Sequence, residues 1–134
     1  MGRVFFNTKK DITALNAAHT VLASESGKTF MLSATGGTVA ITLPTTLEEG
    51  LQYKFVVLED TPSNAITIAA GSAIIDLVQK DAGGDAANST AGTAVSNIIV
   101  GATSTQGDMI NLFTDGTTWY GEVLSGINNA ITTS

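Results

Sequence analysis

Residues 22–37 read LASESGKTFMLSATGG, and the Gly27-Lys28-Thr29 near their centre poses the question that decides the fold. A phosphate-cradling loop has Gly, four residues, then Gly-Lys-Ser/Thr, and a helix follows whose first N–H groups hold the anion. Here Leu22 stands where the first Gly belongs. After Thr29 come Phe30, Met31, Leu32, Ser33 and Ala34, and then Thr35-Gly36-Gly37 stops the element. That run is too short to present one apolar face of a helix. The stretch reads as strand, turn, strand: a hairpin in which Gly27 supplies the positive φ that a tight turn requires. No nucleotide site is expected.

The same rhythm continues outward. HTVLA precedes the turn and TVAITL follows it, closed by Pro44. In LQYKFVVLE, Leu51, Tyr53, Phe55 and Val57 alternate with Gln52, Lys54 and Val56, the period of a strand with one buried face. DTPSN is a turn cluster leading into AITIAA, and AIIDLVQ follows. Lys80 to Ala94, KDAGGDAANSTAGTA, is small, polar and glycine-rich and reads as an extended loop. VSNIIVG, MINLFTD and TTWYGEVL complete the series, with Asp115-Gly116 joining the last two as a hairpin signal. The expected fold is all-β: a single β-sandwich or barrel-like domain of about eight short strands. Residues 19–126 form that domain, residues 1–18 an N-terminal arm and residues 127–134 a polar tail. No fixed repeat period is present, so a solenoid is not expected.

Composition agrees. Apolar residues are 43% of the 134, enough for a core, but charged residues are 13%, about half the usual share. Thr, Ser, Asn and 14 glycines supply the remaining polarity, a mixture that suits strands and turns. Cysteine is absent, which removes disulfides, thiolate metal sites and cysteine nucleophiles from consideration. No segment approaches the ~20 apolar residues of a membrane helix. MGRVFFNTKK lacks a signal-peptide core, and Phe6 stands where a myristoylation signal has Ser or Thr, so synthesis in the cytoplasm is expected.

Charge is divided along the chain. The formal net charge is −6, yet Arg3, Lys9 and Lys10 supply half of the six basic residues before the first acid, Asp11. An acidic body repels phosphate backbones, so neither nucleic acid nor membrane is an expected partner. RVFFNTKK couples that charge to aromatic anchors, the composition of a segment that orders on a partner. Arg3, Val4, Phe5, Phe6, Lys9 and Lys10 are therefore the candidate docking residues.

Reactive constellations are sparse. His19 is the only histidine, and no G-x-S-x-G elbow accompanies it. Asp81, Asp85 and Asn88 match neither calcium-loop spacing, and Glu48-Glu49 and Glu59-Asp60 are sequence neighbours, which a strand points to opposite faces. No catalytic residue, metal or cofactor is expected. Trp119 and Tyr120 also face opposite ways, one into the core and one outward to a subunit interface or a sugar.

GKTFMLSATGGTVAITLPTTLEEGLQYKFVV (27–57) with DMINLFTDGTTWYGEV (108–123) resembles the small capsid decoration, or head cement, proteins of tailed bacteriophages. The matching positions are Thr42, Leu43 and Pro44; Gly50, Leu51 and Lys54 to Val57; and Asp115, Gly116, Trp119 and Tyr120. Gly121 departs from the β-branched residue of that pattern and suggests a bulge. The resemblance implies a β-rich, non-enzymatic protein that forms homotrimers on the capsid surface. It would bind the major capsid protein lattice and stabilise the head against internal pressure. The competing expectation is a tail-fibre or receptor-binding module for host glycans, with Trp119 or Tyr120 as platform and the Lys80–Ala94 loop as rim.

Overall fold

The computed structural model describes residues 11–81 and 89–134. Among the described residues twelve strands, more than the eight or so expected, run in the order β1 Ile12–Leu15, β2 His19–Thr20, β3 Thr29–Leu32, β4 Val39–Thr42, β5 Gln52–Val57, β6 Ile66–Ala69, β7 Ile75–Asp81, β8 Ser89–Val95, β9 Asn97–Val100, β10 Met109–Thr114, β11 Trp119–Ser125 and β12 Ile131–Thr133. They build two mixed sheets, one of seven strands in the order β1-β3-β5-β10-β11-β7-β8 and one of five, β12-β9-β6-β4-β2. The fold is an all-β, sandwich-like domain.

The chain reaches this architecture by winding. β1, β3 and β5 pair in parallel in the seven-stranded sheet, and β2, β4 and β6 pair in parallel in the other. Each successive strand over residues 12–69 therefore crosses to the opposite sheet. The run through Gly27 is consequently a crossing between sheets through the short 3-10 turn Ala23–Glu25, not a hairpin. Gly27 does take the positive φ expected of it, 88°. The crossings are unequal: stacked partners advance from Ile12 to Thr29 to Lys54 in one sheet and from His19 to Ile41 to Ile68 in the other. Solenoid-like winding is thus present without a sequence period.

The second half departs from that pattern. β7 returns to the seven-stranded sheet but leaves a space beside β5, which the antiparallel hairpin β10–β11 fills. The Asp115-Gly116 hairpin signal is borne out, Gly116 having φ 94°. The described residues of the expected Lys80–Ala94 loop are strand instead: Lys80 and Asp81 end β7, and Ser89–Val95 is β8, paired antiparallel to it. Small residues conceal that strand, which pairing with β7 supplies. Asp85 and Asn88 lie outside the described residues, as do all six docking candidates from Arg3 to Lys10. Both ends of the expected domain move outward as well. Ile12–Leu15 belongs to the seven-stranded sheet and Ile131–Thr133 to the five-stranded one, with Ala130 and Ile131 buried.

Alternation decides what lies between the sheets. Leu51, Tyr53, Phe55 and Val57 are all buried, as their spacing predicts. Phe30 stacks on Phe55 with centroids 5.4 Å apart, and Tyr53 meets Trp119 at 5.7 Å. Each fully buried side chain of this size contributes roughly 1.5–3 kcal/mol. Inward positions near one end of β7 are polar, yet satisfied. Gln79 donates to the Ile131 carbonyl and to Asp81, and Asp81 accepts from the Asn129 N–H, tying the C-terminal segment to β7. Gly121 forms no bulge: it pairs in unbroken register with Leu112 and Leu77. A Cβ there would lie 2.5 Å from Leu112 Cδ2 and 2.9 Å from the Asn111 carbonyl oxygen. The register shift of this sheet falls between β7 and β8, beside Ala94 with φ 53°.

Candidate functional site

The seven-stranded sheet turns an unusual outer face to solvent. Cross-strand register places Ala14, Met31, Val56, Met109 and Leu124 in one row over five adjacent strands, all of them half-buried or exposed. An outer sheet face ordinarily alternates to polar residues, so a continuous apolar row is a departure from the usual pattern. Residues 1–10, which carry the aromatic and basic residues, precede β1 in the sequence.

The neighbouring rows are mainly polar and aromatic. Thr29, Lys54, Asn111 and Glu122 form the middle of the next, with Ile12 and Val78 exposed at its ends, and Gln52, Phe113, Tyr120 and Asp76 the one after. Phe113 is 55% exposed, and its ring stacks on Tyr120 at 5.6 Å and 27°. The Tyr120 hydroxyl donates to Asp115 at 3.2 Å. Asp115 also accepts from the Thr118 and Thr117 N–H groups and the Thr117 hydroxyl, which hold its carboxyl down at about 2. That carboxylate in turn raises the Tyr120 phenol. The aromatic pair is thus anchored by the turn that Asp115-Gly116 creates. Trp119, the other aromatic candidate, is wholly inside the core and offers no surface.

The Gly27-Lys28-Thr29 stretch has its own internal use. The Lys28 ammonium donates to Glu25 at 3.2 Å, and the other Glu25 oxygen accepts from the Leu22 N–H at 3.0 Å and lies 3.1 Å from His19 Nε2. Burial pushes the Glu25 carboxyl up, but the Leu22, Lys28 and His19 contacts outweigh it and leave the group below its ordinary value. The lone histidine and the lysine of this stretch therefore lock one crossing between sheets. The Tyr53 phenol, donating to the Leu22 carbonyl, is pushed up to about 12 by burial and by Glu25 and Glu48.

Comparison with protein-family models returns no match, and comparison with curated proteins returns none. Among the described residues, no group of three metal-ligating side chains converges. Asp81 faces inward on Gln79 and Asn129. The Glu59 carboxylate accepts from the Ala34 N–H and Asp60 from the Gln106 N–H, so this acidic pair fastens loops. Sequence reasoning expected one of Trp119 and Tyr120 to face outward, without choosing between them, and missed Phe113 and the apolar row. Both were visible only as the off-beat of alternation, where apolar residues occupy positions a solvated face would fill with polar ones.

Proposed function

We propose that this protein is a capsid decoration protein of a tailed bacteriophage, made in the host cytoplasm and displayed as a homotrimer on the virion surface. It binds the major capsid protein lattice and stabilises the head by adhesion. The apolar row Ala14, Met31, Val56, Met109 and Leu124 is the observation that supports this reading most. Many weak contacts, multiplied by three subunits, give tight attachment without a deep pocket. The test is co-sedimentation with capsids of the intact chain and of one lacking residues 1–10, with light scattering on both. Retention of the intact chain and loss of the truncated trimer supports the reading; a monomer, or equal retention of both, contradicts it.

One observation favours the alternative, a tail-fibre or receptor-binding module for host glycans. Phe113 exposes an aromatic face that Tyr120 holds flat. A glycan array read with the intact chain and with Phe113→Ala separates the two readings.

A further inference from the structure

From Asp11 onward the chain carries only three basic residues against twelve acids, and two of those three, Lys28 and Lys54, line a single groove. The groove lies over β3, β5 and β10 and holds about 370 Å³, within the range of small-ligand sites. Thr29, Gln52, Asn111 and Phe113 also line it. Two adjacent cross-strand rows supply Thr29, Lys54 and Asn111, and Gln52 and Phe113, while Lys28 stands at the groove's end, just before β3.

Donors dominate that surface. Lys54 has no carboxylate within 4.0 Å among the described residues, and the Lys28 ammonium spends one of its three donors on Glu25. The Gln52 side chain and the Thr29 hydroxyl have no partner among the described residues. Two carboxylates border the groove and both are engaged, Glu25 by Lys28 at 3.2 Å and Glu122, one strand farther, by the Asn111 amide at 3.0 Å. Beside the donors stands the exposed Phe113 ring, fixed by its stack on Tyr120.

A ligand matching this surface needs a carboxylate for the two ammonium groups, hydroxyls for the amide and hydroxyl side chains, and a flat C–H face for the ring. We propose that the groove binds a carboxylated pyranose, a uronic acid within an acidic polysaccharide. The sugar's apolar face covers Phe113, and its carboxylate lies between Lys28 and Lys54. An acidic peptide would satisfy the lysines but would leave the ring without a flat partner, so the surface favours the sugar. The inference leaves capsid attachment untouched and gives the glycan reading, on which it rests, a site and a ligand class.

The test is a titration of the isotopically labelled full chain with trigalacturonate, with galactotriose and hexaglutamate as comparison arms, followed by NMR. Trigalacturonate should move the amide signals of residues 27–29, 52–54 and 111–113, and added salt should weaken it. Lys54→Gln and Phe113→Ala should each weaken binding at least ten-fold at unchanged Tm, and Lys28→Gln provides the same reading should Lys54→Gln lower Tm. Equal binding of galactotriose would overturn the acidic-sugar inference while the glycan reading stands. Silence from all three probes would overturn both. Hexaglutamate bound as tightly as trigalacturonate, or lysine variants that bind unchanged, would also overturn it.

Discussion

The two sheets share one core but differ on their outer faces. The five-stranded sheet shows Thr20, Ala40, Thr42, Thr67, Ala69, Asn97, Ile99 and Thr132, a surface without a single charge and with no side chain larger than isoleucine. The seven-stranded sheet shows lysines, carboxylates, a stacked aromatic pair and an apolar row. Most inward positions in both are apolar and buried, with a polar end on β7 in the larger sheet. Alternation fixes which residues face the core, whereas nothing in folding requires the two exteriors to differ. On the proposed reading, the difference reflects what each face meets.

Reversing that difference by mutation has the largest expected effect. Met109→Asp with Leu124→Asp puts charge into the apolar row, and capsid retention should fall by at least 30-fold, the cost of losing one hot spot of about 2 kcal/mol. Thr42→Asp with Thr67→Asp on the other sheet should leave retention unchanged. Equal losses from both pairs in a co-sedimentation assay would erase the functional contrast between the faces.

Gly121 sharpens the contrast from inside the sheet, because β11 carries the aromatic and apolar rows outward while this position faces Leu112. Gly121→Val should destabilise by about 1–3 kcal/mol, since a Cβ meets both a leucine methyl and a backbone carbonyl. Chemical denaturation measures it, and an unchanged midpoint would mean that β11 is free to shift.

Smaller effects belong to the charged locks at the edge of the active face. Glu25→Gln should cost about 1 kcal/mol at neutral pH. The Glu25 carboxyl lies below its ordinary value in the folded chain, so its contribution is present above the unfolded value and is lost as pH falls through the folded one. Denaturation of the variant and the parent should therefore converge in acid; a difference that widens there would contradict the lock. The smallest expected effect is a titration. Asp115 should ionise at about 2 rather than at the ordinary 3.8, so the turn beneath Tyr120 keeps its hydrogen bonds until that pH is reached. Carboxyl NMR reads the midpoint directly, and a value of 3.8 would detach the aromatic pair from its turn.

Much of this could be read before folding was considered. Leu51, Tyr53, Phe55 and Val57 declare a buried face, and Asp115-Gly116 declares a hairpin, because both signals are local. The crossing at Gly27 was misread because SESGK breaks a strand in the same way whether the next one returns to its own sheet or enters the other. The partners of β3 are β1 and β5, distant in sequence, and unequal crossings leave no period to reveal them. Ser89–Val95 was missed for a related reason: small residues carry little strand preference of their own, and pairing with β7 supplies it. The apolar row needs five registers at once, which no single segment contains.

The place left between β5 and β7 has a consequence for synthesis. Met109–Ser125 is made after β7, so the larger sheet cannot be continuous until nearly the whole chain has been synthesised. The late hairpin is a keystone between the wound and unwound halves, and a chain ending upstream of it would leave the edges of β5 and β7 that it covers without their partners.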